Sequence, residues 1–250
     1  MIIRSQQMAG LERSAQGAFE NRLLSHIQEF FPVHWRETGA ERLRAVIRTG
    51  ITNAATYGLA AEREIYLFVS LMLYLGSSFD TDFQLPWAAD ALKEASEEDP
   101  FTRIDRTYHA ALDYLHRVAG PDGIHTRSAI ERYIVCVPRV NSKPLEKLPE
   151  MLMEIHPQKY RELSPAQVAQ LGEQGRRWGF FSPEVIGQGK LLCGSLALLL
   201  GHGFAEDPQF YWAKEALSVP GSDPAERLAA LQRNSVERLK KWICQKGPAQ

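Results

Sequence analysis

Cysteine is scarce. The three that occur, Cys136, Cys193 and Cys244, are an odd number set far apart, with no CxxC or Cys/His spacing. Such a set argues against a disulfide framework or a structural zinc site and suits free thiols in a reducing compartment. An excess of charge is lacking too, since 29 basic side chains face 30 acidic ones for a net charge of −1. No global basic field is available to attract nucleic acid or an anionic membrane, so neither is expected as a partner. Long hydrophobic runs are also missing. The longest, IYLFVSLMLYLG and LLCGSLALLLG, fall well short of the ~20 residues that a membrane helix needs. The opening MIIRSQQMAGLERSAQ has no continuous apolar core of the secretory kind. A soluble, cytoplasmic protein is expected.

Signatures of common chemistries are absent as well. There is no GxGxxG, no GxSxG elbow and no HExxH. Gly187, Gly189 and Lys190 in VIGQGKLLCG superficially suggest a phosphate cradle. They sit inside an apolar helical run, without the preceding strand or the following Ser/Thr. The histidines are scattered, with His109 and His116 seven positions apart, and Cys193 lies among Leu and Ala where a thiol is inert. No catalytic residue, metal ligand or cofactor site is expected.

What is present is a repeat. LGSSFDTDFQLPWAADAL around Gly76 is answered by LGHGFAEDPQFYWAKEAL around Gly201, 125 positions on. PVHWRE (32–37) answers PQKYRE (157–162) at the same spacing, TYGLAAEREI (56–65) answers RWGFFSPEVI (177–186), and DPFTRIDRTYHAALDYL (99–115) answers DPAERLAALQRNSVERL (223–239). Collinear blocks with small gaps are the mark of a tandem duplication with altered loops. The expected organisation is a helical unit at 1–118, a linker at 119–147 and a second helical unit at 148–250.

The repeat bears on Asp80 and Asp82, whose proximity invites a metal or acid–base reading. Only Asp82 recurs, as Asp207, while Asp80 aligns with Ala205. A site needing both carboxylates would keep both. The shared Phe79, Asp82 and Trp87, with Phe204, Asp207 and Trp212, fit a structural turn instead, in which the aromatics anchor and Asp accepts backbone N–H bonds. Both Trp are expected to be largely buried in their own units.

Helical periodicity covers most of the chain. Leu43, Val46, Ile47, Ile51 and Ala54 form one stripe, ended by Gly58; EREIYLFVSLMLYLG is apolar nearly all round, as a central helix would be. PWAADALKEA is a short helix opened by Pro86. Asp99–Pro100 opens a helix with Ile104, Tyr108, Leu112 and Leu115 on one face, and Asp223–Pro224 opens its counterpart. The fold class is therefore mainly α, a tandem duplication of a four- to five-helix bundle. The joint differs, because RYIVCV is β-branched and apolar. A minor β element pairing 1–4 with 132–138 is predicted there.

The run YGLAAEREIYLFVSLMLYLGSSFDTDFQLPWAADAL, with the start MIIRSQQMAGLE…FENRLLSHIQEFFP, resembles a family of small helical proteins encoded among bacterial type VI secretion genes, near those for spike-tip, effector and immunity proteins. The likeness covers about residues 1–117 and, more faintly, the second unit. It rests on YG, a charged helix start, an apolar helix ending in LG, an F-D-x-D-P turn and P-W-A. Phe83 departs from that pattern where Pro is usual, and Tyr211 stands where Pro would precede the second Trp. The resemblance implies an accessory protein that binds a secreted effector, toxin or spike-tip protein, and no catalytic residues. An effector-loading chaperone (adaptor) is one reading and a cognate immunity protein is the other. A groove between two bundles suits a helix or extended segment of another protein, which favours the adaptor. Phe83 and Phe210, large apolar residues in turns, are the candidate partner contacts. The acidic DALKEASEEDP (90–100) and the basic VERLKKWICQK near the C-terminus read as solvated surface.

Overall fold

The computed structural model describes residues 5–93, 99–142, 147–180 and 183–244. Among these the chain is mainly α, with thirteen α-helices and no strand. The first half holds α1 (Ser5–Phe30), α2 (Pro32–Thr38), α3 (Ala40–Thr56), α4 (Glu62–Leu75), α5 (Pro86–Lys93) and α6 (Pro100–Val118). After α7 (Ile124–Cys136) come α8 (Leu148–Ile155), α9 (Pro157–Arg161), α10 (Pro165–Arg177), α11 (Pro183–Leu200), α12 (Tyr211–Leu217) and α13 (Pro224–Cys244).

Capping residues set several of the helix starts. Asp99 accepts from Thr102 N at 3.1 Å, and Ser164 with Gln167 makes a reciprocal capping box at α10. At α4 the carboxylate of Glu64 reaches back to the N–H groups of Ala60 and Ala61 at 2.8 and 2.9 Å. Those contacts satisfy donors that a helix start leaves open.

Buried apolar side chains form two clusters. One draws on Phe19 through Val118 and centres on α4, which packs on α3 and α6. The other draws on Ile130 through Leu239 and centres on α11, which packs on α8, α10 and α13. The GQGK stretch lies within α11. There the backbone of Gly189 comes so close to α10 that a Cβ on Gly175 would stand 2.6 Å from its carbonyl carbon. These glycines let two helices touch and form no phosphate cradle.

Three expectations need correction. RYIVCV is not a strand. It belongs to α7 and the short 3-10 segment Val137–Ser142, with Ala129, Ile130, Tyr133, Cys136 and Val137 buried on one helical stripe. A strand there would have needed a partner for its backbone, whereas a helix satisfies its own. α7 also packs on α8 and α13, so the joint joins the second core rather than lying outside it as a linker. On α6 the buried stripe is Ile104, Thr107, Ala111, Tyr114 and Val118, which leaves Leu112 41% exposed. The partner strand proposed at 1–4 and residues 94–98 of the acidic stretch lie outside the described residues.

Candidate functional site

The central helices α4 and α11 end against each other. Gly76 and Gly201, which end them, have φ of +97° and +93°, a region that L side chains rarely adopt. A Cβ on Gly76 would lie 2.7 Å from Leu200 O, and one on Gly201 would lie 3.1 Å from Leu75 O. Only glycine permits both the turn and the approach.

Two turns lock this crossing from opposite sides. Asp82 accepts from Gln84 N at 2.9 Å and from His202 N across the junction at 3.0 Å, while Gln84 Nε2 donates to Ala197 O at 2.9 Å. On the other side Asp207 accepts from Gln209 N at 2.9 Å and from Ser77 N at 2.7 Å, while Gln209 Nε2 donates to Met72 O at 2.9 Å. The equivalent partners (76 and 201, 77 and 202, 82 and 207, 84 and 209) hold the same spacing in the chain. Each half thus adds a second hydrogen bond to a carbonyl in the last turn of the other's central helix, which already accepts from Gly76 N or Gly201 N. The halves interlock further where Gln167 Nε2 donates to Phe83 O at 2.6 Å and the Arg42 guanidinium lies 3.5 Å from the Tyr211 ring centroid.

The two carboxylates differ in charge environment. Burial alone would raise both. At Asp82, contact with the His202 ring and the charge of Lys159 outweigh it and hold the carboxyl below the usual range. Asp207 meets Ser77 instead, and burial pushes its carboxyl up. Asp80 faces elsewhere, its Oδ2 accepting from Tyr57 OH at 3.1 Å within the first half. The neighbouring acids therefore have separate structural partners.

Beside this junction lies an inner cavity of about 110 Å³, walled by the ends of α4 and α11 and by α6, α7 and α13. Its polar lining includes Tyr74, Tyr114, Thr126, His156 and Lys159. Leu73, Tyr74, Leu115, Ile130 and Trp242 also line an outer groove of about 640 Å³ between α2, α4, α6, α7 and α13. That groove is mostly apolar, with Tyr74 49% and Leu112 41% exposed at its rim. Burial pushes the Cys193 thiol up to about 12, leaving it protonated and inert.

Phe79 and Phe204 are fully buried, and Phe79 packs 5.0 Å from Phe68 between ring centroids. Asp82, Asp207 and Trp212 are buried too, Trp212 beside Phe210 at 6.4 Å. Trp87 is only half-buried, its ring 5.7 Å from Tyr114, because α5 lies at the surface of the first half. The candidate partner contacts need correction for exposure. Phe210 is 5% exposed and packs on Trp242 at 5.9 Å, and Phe83 is half-buried against the second core. Both turns face the junction, so their aromatics point inward. Sequence reasoning passed over Gln84 and Gln209, although Asp-x-Gln recurs with the rest of the block. Lys159 and Tyr114 carried no signal, since they do not recur.

Among the described residues no group of three His, Cys, Asp or Glu side chains is placed to hold a metal ion. No helix among them is long and apolar enough to cross a membrane. No protein-family model, no curated protein sequence and no solved structure matches the chain significantly.

Proposed function

We propose that this chain is a non-enzymatic, protein-binding accessory factor of bacterial type VI secretion. It is cytoplasmic, arose by tandem duplication of a helical unit, and acts as an adaptor that holds a toxic effector or spike-tip protein for loading. The duplication is supported by the collinear repeat and by the reciprocal Asp-x-Gln locks at Gly76 and Gly201. The secretion context rests on the resemblance of residues 1–117.

The observation that carries a binding role is the apolar groove with Tyr74 and Leu112 at its rim. A cleft of this kind between helices suits the apolar face of a partner helix. Because Tyr74 and Leu112 are exposed, Tyr74→Glu and Leu112→Glu should leave the fold intact while placing charge where an apolar partner would sit. Co-purification with the products of neighbouring genes is expected to yield a stable complex that the double variant loses. Deleting the gene should abolish effector export. A complex indifferent to the double variant would refute the groove as the binding surface. Producers that lack the protein, still export effector and are killed by their siblings would identify an immunity protein instead.

A further inference from the structure

We propose that the inner cavity is a carboxylate-binding site, taking the acidic group of an apolar peptide segment that lies in the outer groove. The inference rests on the groove being a peptide site and adds which group of the peptide is read.

Among the described residues, two donors on this space make no hydrogen bond. Tyr114 is 3% exposed, and its hydroxyl is buried with no hydrogen-bond partner among the described residues. Lys159 is 9% exposed, and among those residues its Nζ makes no hydrogen bond or salt bridge. Asp82 is the anion that acts on it, yet both oxygens of Asp82 are already engaged by Gln84 and His202. Burying an ammonium and a phenol with nothing to accept from them is costly, so a third group belongs there. Both are donors, and a carboxylate is the acceptor that an ammonium and a hydroxyl hold best.

The aligned position in the first half is occupied differently, by a half-buried residue at the wall of the outer groove. His34 stands where Lys159 stands (34 and 159), donates Nε2 to Leu73 O at 3.0 Å and meets the Trp242 ring edge-on at 4.9 Å, so its polar nitrogen has a partner. Val118 occupies the position that answers Trp242, and it has no ring to offer Lys159. The remaining space of about 110 Å³ has room for several water-sized groups. Its other walls include Leu75, Leu115, Leu200 and Phe210, and the lining shared with the outer groove is mostly apolar. A free hydrated ion gains little along such a path, whereas an acid carried on an apolar chain buries both its parts.

The test titrates the full chain with N-acetyl-Leu-Leu as the free acid and as its C-terminal amide, and with N-acetyl-Leu-Glu-amide against N-acetyl-Leu-Gln-amide, by calorimetry. At least one acid should bind about tenfold or more tightly than its neutral counterpart. The first pair reports a chain terminus and the second a side chain. Lys159→Met and Tyr114→Phe should each erase the preference while keeping the helical spectrum of the parent. The comparison of acid with amide needs no variant, so a misfolded Lys159→Met would not blunt it. Equal binding of acid and neutral peptides, no binding of any, or a preference that survives Lys159→Met would overturn the assignment. So would hexanoate binding as tightly as the best peptide. A lost acid preference with a partner complex still sensitive to Tyr74→Glu would sink this inference alone. A retained preference with an insensitive complex would sink only the groove reading.

Discussion

Gly76→Ala is the sharpest perturbation of the junction. Gly76 sits at φ +97° and ψ 152°, a conformation open almost solely to glycine, and forcing another residue into it costs ~1–3 kcal/mol. The added methyl would also stand 2.7 Å from Leu200 O, which is backbone and cannot swing aside. The ends of α4 and α11 must then move apart, stretching Ser77 N→Asp207 and Gln209 Nε2→Met72 O, now 2.7 and 2.9 Å. Losing one such buried bond adds ~1–3 kcal/mol. Together these give about 4 kcal/mol, with a range of about 2–6. For a chain of this size that lowers the melting temperature by about 8–16 °C. Gly221→Ala is the control, with φ +73° and nothing within 4 Å of an added Cβ, so only the conformational cost of ~1–2 kcal/mol applies. Urea unfolding followed by far-UV circular dichroism compares the two. A Gly76→Ala protein no less stable than Gly221→Ala would refute the helix-end contact as a constraint.

Two further outcomes follow from burial and charge. Trp212→Ala should cost ~3–5 kcal/mol, and Trp87→Ala should cost less, since Trp87 is half-exposed; equal losses in chemical denaturation would contradict their different burial. His156 Nδ1 accepts from Lys159 N at the start of α9, and burial, with the nearby charges of Lys159 and Arg132, lowers its pKa to about 3. The unfolded chain takes up that proton near pH 6.5 and the folded one does not. Stability from this group is therefore full above about pH 6.5 and declines as pH falls toward the folded value, by about 3 kcal/mol at pH 4. His156→Asn, which keeps a capping acceptor, should flatten that part of the stability–pH curve. An unchanged slope would assign the acid sensitivity to other groups.

Features that depend on neighbours along the chain are legible in the sequence. Asp99 and Gly58 mark helix boundaries because caps and left-handed glycines act within one turn of the backbone. The recurrence of Phe79, Asp82 and Trp87 as Phe204, Asp207 and Trp212 was open to direct reading, and so was the mainly α class. Features that depend on residues far apart in the chain are set by packing. The β-branching of RYIVCV argued for a strand, but a helical stripe packed into the second core outweighs local propensity. Phe210, large and apolar in a turn, suggests an exposed contact, but its turn faces the junction and buries it. Asp82 and Asp207 read as caps of their own turns, and they also serve the opposite half, a role invisible without the crossing of α4 and α11. The open place beside Lys159 is the furthest from the sequence. Its walls come from both halves, Tyr114 and Val118 from one and His156, Leu200 and Trp242 from the other, and a void leaves no mark in the chain until packing defines it.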